Sequence, residues 1–164
     1  MLKIALKKVS PIHHAFTLLF DGGGKETVQL ETKTYFYHDL LHFAVESEAK
    51  LTDSFYGRLL KGYRYEDLAL PEMSVLASGG EQEGLMTERV VGVMTGVLKR
   101  GATPEQAVGA LNNLLGASGD EMPNWFTPEF VISVQERMRQ LLGEWNGTPL
   151  GETMTLEFGI SRTA

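Results

Sequence analysis

Hydrophobic and polar residues alternate in three short segments at the start of the chain. Their apolar positions are Leu2, Ile4 and Leu6 in the first segment, Phe16, Leu18 and Phe20 in the second, and Val28 and Leu30 in the third. A period of two residues predicts β-strands that each bury one face. The glycines of DGGGK, between the second and third segments, permit the positive φ of a tight turn. We therefore predict an antiparallel meander.

A helical period replaces the alternation further along the chain. It predicts a helix from about Tyr37 to Ala49 with Leu41 and Val45 inward, then a short helix capped by Thr52 or Asp53. Three longer helices are predicted at 85–99, 104–116 and 128–143, and residues 63–84 are expected to be irregular, with an exposed loop at SGGEQEG.

Two of the longer helices begin with the same sequence, TPE. Thr103 and Thr127 are predicted N-caps, each followed by a proline that suits the first helical position. Gln106 completes a capping-box pattern with Thr103. Gly147 is expected to end the last helix in a left-handed turn.

A final alternating segment carries Met154, Leu156 and Phe158 on one side. This order of strands, helices and one strand predicts a single α+β domain over residues 1–164, with helices packed on one face. Its antiparallel or mixed sheet has about four strands, and the last strand returns to the N-terminal meander.

Composition narrows the classes of function. The 164 residues include no cysteine, which excludes disulfides, thiolate metal ligands and a cysteine nucleophile. Fifteen basic against 21 acidic residues give a net charge of −6, so no nucleic-acid partner is expected. No apolar run suits a signal peptide or a membrane span, so we expect a soluble cytoplasmic protein without a membrane partner. A homo-oligomer remains open.

The segment YFYHDLLHFAVESE is the one local cluster of residue types that favours chemistry. His38, His42 and Glu46 follow an i, i+4, i+8 spacing, and Asp39 lies on the same polar arc. Two imidazoles and a carboxylate can bind zinc, iron or manganese. The candidate metal ligands are therefore His38, His42 and Glu46, and a divalent metal is the candidate cofactor.

The same residues also allow acid/base chemistry, with Asp39 and Glu46 as candidate catalytic carboxylates. A structural interpretation competes with both, because histidines are common at the margins between helices and sheets. A site requires the rings of His38 and His42 to converge on one accessible point. It also requires an acceptor for the remaining ring nitrogen.

A second pair of histidines lies on the predicted second strand. Alternation places His14 on the side of Phe16 and Phe20, and His13 on the opposite side. We interpret them as a strand start with one ring packed and one solvated; an approach of His14 to His42 is the alternative.

Two motifs resemble those of a group of small bacterial proteins with no established activity. The first is a His-Asp-Leu-x-His-x-x-Val-Glu helix motif, formed here by His38, Asp39, Leu40, His42, Val45 and Glu46; the second is a Phe-aromatic-Gly segment, formed here by Phe55, Tyr56 and Gly57. Tyr56 stands where the group has tryptophan. The resemblance covers about the first 65 residues and implies an N-terminal β meander, but no function.

Two classes of function follow from these patterns. We favour a non-catalytic binding or interaction domain, since the sequence offers few further metal ligands beyond the histidine helix. The alternative is a divalent-metal-dependent hydrolase that uses His38, His42 and Glu46. The substrate, the metal and the partner are not determined by these patterns.

Overall fold

The alternating segments form one antiparallel sheet in the order β3-β2-β1-β4. In this computed structural model, which describes residues 1–69 and 81–159, the strands are β1 (Leu2–Lys8), β2 (His13–Phe20), β3 (Lys25–Glu31) and β4 (Thr153–Phe158). Strand β4 pairs with β1, with Leu2 opposite Phe158 and Leu6 opposite Met154. The predicted return of the last strand to the meander is confirmed.

Helices account for most of the remaining described residues. They are α1 (Thr32–Ala49), α2 (Phe55–Leu60), α3 (Tyr65–Ala69), α4 (Glu81–Arg100), α5 (Pro104–Ser118) and α6 (Pro128–Gly147). Helix α1 contacts α2, α4 and α6. None of the helices in the described part of the chain combines the length and apolar character needed to cross a membrane. The predicted α+β fold is confirmed.

The core lies between one face of the sheet and the helices. The predicted inward residues of β1, β2 and β4 are buried, except Phe20, which is partly buried at the end of β2, and Leu41, Ala44 and Val45 of α1 are buried as well. Complete burial of one leucine or valine side chain contributes about 1.5–3 kcal/mol, so these residues hold α1 firmly in place. The side of α1 next to them carries the histidines.

Local sequence signals predicted the starts of α5 and α6 correctly, but not the end of α6 or the cap of α2. Thr103 and Gln106 form the predicted capping box, and the Thr127 hydroxyl accepts from the backbone N–H of Phe130 at 3.1 Å. Gly147 does not make the predicted left-handed turn; it remains helical, and Thr148 ends α6. The cap of α2 is Ser54 rather than Thr52 or Asp53.

Two helix starts differ from the sequence prediction. Helix α1 begins at Thr32, five positions before Tyr37, directly after β3. Residues Glu81–Gly84 of the predicted loop belong to α4. A helical glycine costs about 1 kcal/mol. Next to Gly84, the Glu83 carboxylate joins α4 to the start of α2 by accepting from the backbone N–H of Asp53 at 2.5 Å. Helix α3 (Tyr65–Ala69) also lies within the segment 63–84, which was predicted to be irregular, and residues 70–80 of that segment lie outside the described residues.

Candidate metal centre

His38 and His42 lie one turn apart on α1, and their ring centroids are 4.8 Å apart. The two side chains differ in exposure: 51% of His38 is accessible, against 4% of His42. The i, i+4 spacing brings the rings together on the edge of the buried face. One ring is therefore fixed in the protein, and the other is free to adjust at the surface.

Glu88 of α4 completes the cluster. Its Oε1 lies 3.0 Å from Nε2 of His42, and its Oε2 lies 3.9 Å from Nε2 of His38. One ligand atom from each of the three residues lies within 4.8 Å of the other two. His38, His42 and Glu88 therefore form a group that could hold a metal ion.

Glu46 lies on the other side of His42. Its Oε2 is 3.0 Å from Nδ1 of His42, whereas Glu88 contacts Nε2. The Glu46 side chain is fully buried, and its Oε1 accepts from the backbone N–H of Tyr56 at 2.8 Å and of Gly57 at 3.4 Å. Glu46 thus joins α1 to the start of α2.

Gly57 allows this close approach of α2. A Cβ at this position would lie 2.3 Å from the carbonyl oxygen of Thr52, a distance that side chains do not tolerate. The glycine of the Phe-Tyr-Gly segment therefore permits backbone packing that brings two N–H groups to Glu46.

The charges of the cluster favour a protonated His42. Burial lowers the pKa of His42, but its hydrogen bonds to Glu46 and Glu88, with their charges, raise it to about 10. Partial burial opposes the ionisation of Glu88, yet His42 keeps the pKa of Glu88 below its usual value. Burial and the neighbouring His42 lower the pKa of His38. A metal ion would replace the proton that His42 shares with Glu88.

Asp39 lies beside the cluster rather than within it. Its Oδ2 accepts from the Tyr65 hydroxyl at 3.2 Å, and its backbone carbonyl accepts from the Tyr56 hydroxyl at 2.8 Å. Burial raises the pKa of Asp39 to about 7, although Tyr65 and His42 act in the opposite direction. Asp39 is therefore a buried carboxyl group that titrates near neutral pH.

The structure brings together only part of the set proposed from sequence. The rings of His38 and His42 approach each other, and Glu46 contacts the ring nitrogen of His42 that faces away from Glu88. Asp39 instead accepts a hydrogen bond from Tyr65. Glu88 was missed because it lies on a different helix and no local motif marks it. Only the packing of α4 on α1 reveals it.

The second histidine pair lies in a different part of the fold. His14 is buried against Phe36 and Trp145, and its Nδ1 lies 3.1 Å from the Thr32 hydroxyl, whereas His13 is partly exposed. The interpretation of one packed and one solvated ring is confirmed.

Comparison of the chain with protein-family models, curated proteins and solved structures finds no match. This result agrees with a motif resemblance that carries no established activity. The function must therefore be argued from the His38–His42–Glu88 cluster.

Proposed function

We propose that this protein binds one divalent transition-metal ion through His38, His42 and Glu88. The observation that carries the proposal is the convergence of three ligand atoms from two helices, all within 4.8 Å. Ligands of a tetrahedral zinc ion, at bonds of about 2.0–2.1 Å, lie about 3.3 Å apart. The His38 and Glu88 side chains are half-exposed, so modest rotamer changes can close the remaining gap.

The ligand types restrict the metal. Two imidazoles and a carboxylate suit zinc, iron(II) or manganese, and the sequence contains no thiolate ligand that would favour softer ions. A buried carboxylate on the far nitrogen of a ligating histidine is a recurrent support in metal sites, and Glu46 has this position. Zinc is the first ion to test.

We propose binding without catalysis as the primary function. Metal-dependent hydrolysis is the second candidate, and the exposure of His38 and Glu88 favours it. Three protein ligands at an open surface would leave a coordination position for water, and a bound metal would supply the activation of that water as a nucleophile. Asp39 and Glu46 are the carboxylates predicted for catalysis; Glu46 is enclosed by Tyr56 and Gly57, and Asp39, beside the cluster, accepts from the Tyr65 hydroxyl.

The proposal includes a cytoplasmic location, which suits a chain without cysteine. It includes no nucleic-acid partner, because a net charge of −6 gives little gain from counterion release. A salt-sensitive shift with generic duplex DNA would contradict that part of the proposal.

The experiment is metal analysis and zinc titration of protein purified without an affinity tag. We expect one ion per chain, and much weaker binding in His38→Ala and Glu88→Gln, which alter exposed side chains and so should keep the fold. Glu48→Gln, an exposed change on α1, is the control and should bind as the wild type does. If the wild type takes up no zinc, iron or manganese, the cluster is a structural ion pair between α1 and α4.

A further inference from the structure

We infer that Glu46 is a positioning residue, which holds His42 with its proton on Nδ1 and thereby directs Nε2 toward the metal. This inference rests on the proposed function and adds a residue outside the ligand set. It assigns a defined role to a fully buried carboxylate that approaches neither His38 nor Glu88 in the contacts described above.

The argument begins with the two oxygens of Glu46. An ionised carboxylate only accepts hydrogen bonds. Oε1 is occupied by the backbone N–H groups of Tyr56 and Gly57, and Oε2 faces Nδ1 of His42 at 3.0 Å. With Glu46 ionised, Nδ1 therefore donates to Oε2. A neutral histidine with its proton on Nδ1 has its lone pair on Nε2, the nitrogen that faces Glu88.

The surrounding hydrogen-bond donors fix the orientation of the Glu46 carboxylate. The backbone N–H groups that bind Oε1 are fixed because Gly57 packs directly on the Thr52 carbonyl. A second glutamate, Glu83 of α4, secures the same start of α2 by accepting from the Asp53 N–H and from the Ser54 hydroxyl at 3.1 Å. The carboxylate of Glu46 is thus held between the backbone N–H groups of Tyr56 and Gly57 on one side and Nδ1 of His42 on the other.

The decisive variant is Glu46→Gln, which keeps the size of the side chain. If its carbonyl oxygen continues to accept from Tyr56 and Gly57, its NH₂ group faces Nδ1 of His42, which favours the proton on Nε2. If the amide turns over, its NH₂ group faces the backbone donors instead. That orientation would let the amide oxygen accept from Nδ1, but the NH₂ group would then meet two backbone donors, which disfavours it. The first orientation should therefore predominate, and we expect zinc affinity to fall by about 10–100-fold.

Glu83→Gln is the matched control. It replaces the other carboxylate at the start of α2 by an uncharged amide. The described hydrogen bonds of the Glu83 side chain go to Asp53 and Ser54. We expect it to lower stability and to leave zinc affinity unchanged. Equal zinc affinity in Glu46→Gln and the wild type, or an equal loss in both variants, would overturn the positioning role.

A measurement on the wild type keeps the inference testable if Glu46→Gln does not fold. In protein loaded with an NMR-active cadmium isotope, the metal–nitrogen coupling of His42 should appear at Nε2, and Nδ1 should carry a slowly exchanging proton. Coupling at Nδ1 would overturn the inference while leaving metal binding intact. Absence of any metal uptake would instead overturn the proposed function.

Discussion

Two buried histidines, His14 and His42, occupy opposite chemical environments in this fold. His14 packs edge-on against Phe36 and Trp145, and burial together with His13 lowers its pKa to about 4. His42 is equally enclosed, yet it lies between the carboxylates of Glu46 and Glu88, which raise its pKa to about 10. One ring is a neutral core residue and the other is a cation.

The difference shows that burial alone does not define a site. Desolvation disfavours the charged form of both rings, and only opposite charges within hydrogen-bond distance can reverse it. Those charges come from α1 and α4 around His42, whereas α1 and α6 give His14 a hydroxyl and two aromatic rings. The region around His42 is therefore arranged for ion chemistry, and the region around His14 for packing.

The largest expected effect comes from His42→Ala. Removal of the imidazolium leaves Glu46 buried without its cation, and loss of one partner of a buried pair costs about 3–5 kcal/mol. Urea unfolding near neutral pH should show this loss. His38→Ala, an exposed change one turn away, should cost less than about 1 kcal/mol. Equal costs for the two variants would mean that Glu46 does not depend on His42 for its charge balance.

Leu41→Ala separates packing from charge on the same helix. Leu41 is fully buried in the core, so the substitution should cost about 2–5 kcal/mol in the free energy of unfolding. This cost should not change with pH, whereas the cost of His42→Ala should shrink as His42 loses its proton. An unchanged urea midpoint in Leu41→Ala would show that this face of α1 does not pack as described.

The sequence was sufficient for most of the fold because most of its elements carry their own local signal. Alternation located the buried faces of β1 and β2, and Thr103 with Gln106 marked the start of α5. The start of α4 was missed because Gly84 resembles a loop residue. The neighbouring Glu83 contacts the start of α2, and no local pattern contains that contact.

The site was only partly predictable for the same reason. His38 and His42 share one helix, so their spacing was sufficient to bring them together. The orientation of Glu46 toward Tyr56 and Gly57, and the arrival of Glu88, both depend on how other helices pack against α1. Periodicity identifies which face of a helix is polar, but it does not identify the partner that meets that face.

The titration of His42 sharpens the contrast between the two histidines. Its folded-state pKa of about 10 lies above the ordinary value of 6.5. The stability that protonated His42 contributes is therefore fully present below 6.5 and is lost as pH rises through about 10. NMR titration should show this high value, and Glu88→Gln should lower it toward the ordinary one. Glu66→Gln, an exposed change on α3, should leave it unaltered.

Zinc affinity should depend on pH through the same deprotonation of His42. A metal ion at Nε2 competes with the proton there, so binding should tighten as pH rises from neutral toward about 10. Zinc binding that is independent of pH across this range would show that the ion does not bind His42.

The smallest effect is expected from His14→Leu, which tests the packing side of the comparison. The substitution loses the contact between Nδ1 and the Thr32 hydroxyl at 3.1 Å. It also removes the buried Nε2, which has no hydrogen-bond partner among the described residues. These changes oppose each other, so the free energy of unfolding near neutral pH should change by less than about 1 kcal/mol.

The acid limb of the stability curve should distinguish His14→Leu from the wild type. Because the folded-state pKa of His14 is lowered from 6.5 to about 4, its neutral form stabilises the protein above 6.5, and this contribution is lost as pH falls through about 4. The leucine variant cannot take up that proton and should lose less stability over this range. Identical acid limbs for His14→Leu and the wild type would mean that water reaches the His14 ring, and the contrast with His42 would then rest on the carboxylates alone.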